Sequence, residues 1–160
     1  MNEFVHQWQH QGRTITFSWA GMADVTPSRV YALAFTPERK MLLVGAEGNP
    51  DLWLPGGGIE DGESAEEALI RELAEEAAAS VHALARIGAQ RVEDPASGVE
   101  YQDFYWCRVT LAAEFTPAHE VAFRHLVAPE EFLDTLFWGR HDPKAGLLLA
   151  TALELDQRHG

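Results

Sequence analysis

The segment RELAEE, residues 71–76, puts Glu72, Glu75 and Glu76 on one short stretch a little after the glycine run Gly56-Gly57-Gly58. Carboxylate oxygens are hard ligands that suit Mg²⁺, Mn²⁺ or Ca²⁺ better than copper or zinc. Mg²⁺ keeps several waters and uses a few carboxylates plus substrate phosphates. Three glutamates are enough for that and too few for a closed cage. Like charges at helical spacing repel by about a few tenths of a kcal/mol per pair. A solvated helix face tolerates this; a cation site requires it. The glycines of LPGGGIEDG let the backbone approach closely and adopt positive φ, so its carbonyl or N–H groups could face a ligand or a metal.

These acids need a helix to carry them. Ser64 opens one, with Glu67 three residues on as a capping box. SAEEALIRELAEEA contains no Gly or Pro and only Ile70 as a β-branched residue, so its helix propensity is high. At about 100° per residue, Leu69, Ile70, Leu73 and Ala77 should face the core. Glu72 and Glu76 stack on a separate side, Glu75 lies beside them, and Ala65 and Ala68 leave room above. Glu66 and Glu67 read as solvated.

The rest of the chain supplies strands. Residues 13–19 alternate with Ile15, Phe17 and Trp19 on one face. Residues 29–36 and 41–46 are apolar runs around the turn TPERK, a hairpin pattern. Residues 47–58 form a loop punctuated by Asn49-Pro50 and Pro55-Gly56. Long strands follow at 81–93 and 99–112 around DPASG, then a shorter one at 121–127. A final helix runs from about Pro143 to Arg158. Strands, helix, strands, helix make a mixed α and β class. We expect a single domain over 1–160, with 1–27 as an N-terminal β extension.

The chain has 160 residues, 46% hydrophobic, and a formal net charge of −13. It is too apolar for a disordered chain, and its acidity argues against binding a nucleic acid duplex or an anionic membrane. A bridging divalent cation would still allow a phosphorylated small molecule. Cys107 is the sole cysteine, which excludes an internal disulfide and reads as a buried, inert thiol. The N-terminus lacks a secretion-signal pattern and no apolar run is long enough to span a bilayer. The expected compartment is the cytoplasm.

Residues 57–79, GGIEDGESAEEALIRELAEEAAA, resemble the Nudix box. Gly57, Glu63, Arg71, Glu72, Leu73, Glu75 and Glu76 occupy its fixed positions, and Leu54-Pro55-Gly56 resembles its lead-in. Two positions depart: Ala78 replaces the box glycine and Ala79 the final aliphatic residue. A glycine there ends the helix in the left-handed conformation, which costs alanine about 1 kcal/mol. The helix is therefore expected to run on toward Ser80 or to end differently.

The resemblance implies a mixed β-sheet sandwiched between α-helices and a Mg²⁺-dependent hydrolase, with Mn²⁺ as a substitute. The substrate class it implies is a nucleoside diphosphate linked to another moiety. Glu72, Glu75 and Glu76 are implied ligands, with Glu72 a candidate base and the Gly56 carbonyl a further ligand. Gly57, Glu63 and Arg71 are implied structural residues. The family often recruits a later glutamate; Glu120 is the first candidate, ahead of Glu114 and Glu100. Pro95 resembles the pattern of ADP-ribose pyrophosphatases, a lean toward ADP-ribose or nucleotide-sugar substrates. A homodimer is common in related folds.

Among the other residues, Trp53 is the best placed of the five tryptophans to stack on a base, and Arg29 could meet phosphate. His6 and His10 are four apart, but Gly12 and the β-rich run beyond argue against a helix there. Two alternatives share the fold: an inactive nucleotide sensor, and an isoprenoid-diphosphate isomerase using Cys107.

Overall fold

The apolar runs pair into one mixed sheet. The computed structural model describes residues 4–117 and 121–159. Its strands are β1 (Val5–His10), β2 (Arg13–Gly21), β3 (Arg29–Phe35), β4 (Met41–Gly45), β5 (Leu52–Trp53), β6 (Gly56–Gly58), β7 (Ala79–Asp94), β8 (Gly98–Leu111) and β9 (Phe123–Val127). Helix α1 spans Ala65–Ala77. A 3-10 turn at Pro129–Glu131 leads into the short α2 (Phe132–Thr135), and α3 spans Lys144–His159. The sheet order is β1-β2-β7-β8-β3-β4-β5, with β6 pairing β3 and β9 pairing β4. β3 and β8 run parallel, while β7 and β8 form a long antiparallel hairpin.

The two sheet faces carry two cores. Val30, Ala32 and Ala34 of β3 pack with Leu69, Leu73 and Ala77 of α1. Leu33 and Phe35, pointing the other way as strand alternation demands, pack with Leu148 and Ala152 of α3. The sheet is thus sandwiched between helices, and β3 and β4 are nearly continuous apolar runs because both faces are covered.

Helix α1 begins as its sequence requires. Ser64 Oγ accepts from the Glu67 N–H, and Glu67 Oε1 accepts from the Ser64 N–H. Its exposure pattern corrects the expected wheel. Ile70 is 45% exposed, while Glu76 is 9% exposed and Ala68 is fully buried. At about 100° per residue, Glu76 lies only ~20° from Leu69, inside the buried arc. The acidic face is therefore continuous with the core face, and β6 covers it. Ile70 falls on the opposite flank, beyond the sheet's reach.

The helix does not run on to Ser80. It ends at Ala77, and Ala78 takes the left-handed conformation (φ 51, ψ 42) that the missing glycine would have adopted. Neighbouring bonds hold it there. The Ala112 N–H donates to the Ala78 carbonyl (2.9 Å), and Arg124 Nη1 donates to the Ala77 carbonyl (2.6 Å). A cation at a helix C-terminus is also favoured by the dipole. Ala78→Gly should therefore stabilise the protein by about 0.5–1 kcal/mol, part of the conformational gain being offset by the freer unfolded chain. Urea denaturation would show a higher midpoint; an unchanged or lower one would contradict the strain at Ala78.

Candidate metal and catalytic site

The glycine strand β6 lies directly on the acidic side of α1. Gly57 is buried, and a Cβ there would sit 2.8 Å from the Glu72 carboxylate. Gly56 (φ 146) pairs with Tyr31 of β3, and its N–H donates to Glu76 Oε1 at 2.7 Å. The contact between Glu76 and this residue runs through the Gly56 N–H. Close approach of the β3 backbone requires glycine at Gly56, whereas a side chain at Gly57 would have to displace the Glu72 carboxylate.

Arg71 ties loop and helix together. Its Nε and Nη2 donate to the two Glu63 oxygens (2.7 and 2.9 Å), and Nη2 also donates to the Gly58 carbonyl (3.0 Å). Its Nη1 donates to Glu72 Oε1 (3.0 Å) and Glu75 Oε2 (3.5 Å). Glu63 accepts in addition from the Glu60 N–H. The Arg71 bonds first, then this N–H, hold the Glu63 carboxyl at about 2, well below its ordinary value. Glu63 and Arg71 thus tie the loop to α1.

Glu76 experiences the reverse. Burial drives its carboxyl up to about 7; the Gly56 N–H opposes the rise, Glu72 and Glu75 add like charge, and Arg29 partly offsets them. Among the described residues, no three His, Cys, Asp or Glu side chains stand close enough together to hold a metal ion as arranged. Arg71 lies between the carboxylates and engages Glu72 and Glu75. The donor set still fits a hard cation. It consists of carboxylate oxygens, and a buried carboxylate repelled by two others is what a divalent ion would offset.

The remaining candidates separate. Glu120 lies outside the described residues. Glu114 is exposed, and Glu100 accepts from Gln102 on β8. Arg29 lies at the start of β3 and donates through Nε to the Tyr31 hydroxyl (2.7 Å). Trp53 is half-buried in β5 and borders a cavity of about 490 Å³, as do Trp8 and Trp138. Trp106 is buried in the core. His6 and His10 lie on strand β1. Pro95 is an exposed residue of the β7–β8 turn. Cys107 is fully buried, and burial pushes its thiol up to about 12. That removes it as an accessible acid, base or nucleophile, and the isomerase alternative loses its key residue. Arg124 holds the end of α1, though its place within FRHLV carries no sequence signal of that partner.

Comparisons with known proteins agree with this fold. Residues 25–146 match the NUDIX domain. No curated protein matches the chain. Solved structures similar in fold include a variant of the Bacillus subtilis pyrophosphohydrolase BsRppH, with 22% identity over 97% of this chain and 98% of that one (TM-score 0.67). The NUDIX domain of Shewanella oneidensis NrtR complexed with ADP ribose aligns at 21% identity over 86% and 91% of the chains (TM-score 0.60). A C. elegans Ap4A hydrolase aligns at 17% identity over 81% and 98% (TM-score 0.60). The matched span starts ahead of β3 and reaches into α3, and it encloses the glycine strand and the carboxylates seated on it. The chain belongs to the Nudix hydrolase family.

Proposed function

We propose that this chain is a Mg²⁺-dependent pyrophosphohydrolase that cleaves the diphosphate linkage of a nucleoside diphosphate joined to another moiety. The observation that carries the reading is the docking of β6 onto α1, with Glu72 against Gly57 and Glu76 bonded to the Gly56 N–H. Glu72, Glu75 and Glu76 would hold the ion, with the Gly56 carbonyl as a further candidate ligand. When bound, Mg²⁺ offsets charge on phosphoryl oxygens and lowers the pKa of a coordinated water.

The chain's own groups do the rest. Arg71 and Glu63 hold the loop so that the glycine backbone stays on the carboxylates. A carboxylate within hydrogen-bond reach of the attacking water takes its proton; Glu72, less buried than Glu76, is the candidate, with Glu120 a second acid for that role. Arg29, which acts electrostatically on both Glu72 and Glu76, supplies positive charge for phosphate. Phosphoryl transfer needs mainly this positioning and charge stabilisation. The relatives named above act on or bind different phosphate compounds, so the fold leaves the leaving group open. Pro95 supports a slight lean toward ADP-ribose or nucleotide-sugar substrates, and the similarity to a domain complexed with ADP ribose is in keeping with it. The lone inert thiol and acidic chain suit a cytoplasmic setting; among the described residues no helix is long and apolar enough to cross a membrane.

The test is product release from ADP-ribose, nucleotide sugars, dinucleoside polyphosphates and nucleoside triphosphates with Mg²⁺ or Mn²⁺, against a chelator control. We expect turnover of at least one diphosphate-linked nucleotide that ceases with chelator. Binding without turnover across the whole panel would replace this reading with that of an inactive sensor.

A further inference from the structure

We infer that the free edge of β1 is a pairing surface for a second copy of this chain, which joins it antiparallel about a twofold axis at Trp8. The inference goes beyond the proposed hydrolysis and needs neither metal nor substrate. Among the described residues, β1 ends the sheet and pairs with β2 alone. Its residues are exposed apart from the half-buried His6. Natural sheets blunt such an edge with charge, proline, a bulge or a very short strand. Val5–His10 contains no Lys, Arg, Asp, Glu or Pro, and its six residues pair with β2 without a register shift. At the other end of the sheet, β5 holds two residues. A net charge of −13 keeps copies of the chain apart over most of their surface; β1 carries no carboxylate that would do so.

The backbone fixes which groups face outward. The Trp19 N–H donates to the Phe4 carbonyl (3.1 Å). The β1–β2 register then pairs His6 with Phe17, Trp8 with Ile15 and His10 with Arg13. Hydrogen-bonded pairs alternate with non-bonded ones along an antiparallel ladder. Phe4, His6, Trp8 and His10 therefore turn their N–H and C=O groups to β2, while Val5, Gln7 and Gln9 turn theirs outward. A twofold at Trp8 sets Gln7 against the partner's Gln9. Both present outward groups, so each exchanges N–H···O=C bonds with the other. Trp8 then meets the partner's Trp8 at a non-hydrogen-bonded position, where facing side chains are closest.

Side chains choose among the registers that this phase allows. HQWQH, residues 6–10, reads the same in both directions, so an axis at Trp8 opposes like with like. His6 faces the partner's His10, Gln7 the partner's Gln9 and Trp8 the partner's Trp8. Each amide carries donors and an acceptor and bonds its counterpart reciprocally, and aromatic pairs across strands are favourable. Moving the axis to Gln7 would oppose Val5 to an amide at Gln9 and part the two indoles. Trp8 is 42% exposed and lies at the centre, and a central tryptophan is a typical anchor of interfaces. Its ring is 6.5 Å from that of His6, which is 6.1 Å from Phe17. Pairing thus continues an aromatic row across the edge.

The experiment measures association of the full chain by sedimentation velocity, from micromolar to submillimolar concentration and without metal. A strand pair is smaller than the roughly 800 Å² per partner of standard complexes, so a monomer–dimer equilibrium is expected in the upper part of that range. Gln7→Pro removes an outward N–H and leaves the β2 ladder intact, a setting in which strands accept proline. It should weaken association about tenfold or more, with circular dichroism checking the fold. A second readout does not depend on that variant folding. Cys107 is fully buried, so Trp8→Cys carries one reachable thiol. Opposed thiols at a non-hydrogen-bonded pair lie within disulfide reach, and mild oxidation should trap a covalent dimer. Val5→Cys, exposed on the same strand but far from its symmetry mate, should stay uncrosslinked. The twofold uses up both edges, so assembly stops at two copies. A wild type that stays monomeric throughout, unchanged association in folded Gln7→Pro, species larger than a dimer, or Val5→Cys cross-linking as readily as Trp8→Cys overturns the inference, whatever the hydrolysis panel shows.

Discussion

Glu76→Gln should lower turnover by about 10²-fold or more while the protein stays folded. The amide keeps an oxygen for the Gly56 N–H, now 2.7 Å from Glu76 Oε1, but cannot carry the negative charge that a cation requires. Stability should change in the opposite sense at neutral pH. In the metal-free protein the folded-state carboxyl sits at about 7, raised above its ordinary 4.5 chiefly by burial. The folded chain therefore binds more protons than the unfolded chain between these values, and stability falls as pH rises through that window. The loss amounts to roughly 1–3 kcal/mol. The Gln variant lacks this decline, so in chelator at pH 8 it should unfold at or above the wild-type temperature. Steady-state kinetics with the substrate found in the panel, and thermal melts from pH 4.5 to 8, check both arms. Unimpaired turnover would remove Glu76 from the reaction.

Gly56→Ala should be the most damaging single methyl group in the chain. At φ 146 the backbone occupies a region open essentially to glycine alone. A Cβ there would lie 2.1 Å from the Val30 carbonyl oxygen and 2.8 Å from the Tyr31 Cα. Those are backbone atoms of a buried strand and cannot rotate aside. Strand β6 must lift from β3, and the Glu76 carboxylate loses its N–H donor. We expect destabilisation of about 3 kcal/mol or more, a drop of roughly 10 °C in melting temperature, and loss of activity in the protein that remains folded. A melting temperature within about 2 °C of wild type would show that the close approach can relax.

The chemistry-bearing residues were legible because they lie close together in sequence. The box spacing, the Ser64–Glu67 cap and the long β7–β8 hairpin depend on local pattern, and each formed as expected. What a helical wheel could not show is which flank another element covers. The wheel puts Ile70 on the core face and Glu76 on a separate side; the structure exposes Ile70, and the glycine strand covers Glu76. Strands β5 and β6 hold two and three residues, too few for a periodic signal, and β6 is all glycine. Strand β1, VHQWQH, is mostly polar because it is an exposed edge. The end of α1 at Ala78 depends on Ala112 and Arg124, distant in sequence. The cavity draws on β1, β2, β3, β5, β7, β8 and α3, so no single stretch announces it.

Arg71 gives the acidic ridge a built-in counter-ion. Through Glu63, Glu72, Glu75 and the Gly58 carbonyl it already compensates much of the repulsion that three neighbouring glutamates create. Were the proposed magnesium ion the ligand of this ridge, the Arg71 contacts would let the chain fold ahead of it, unlike small domains whose architecture collapses once their ion is withdrawn.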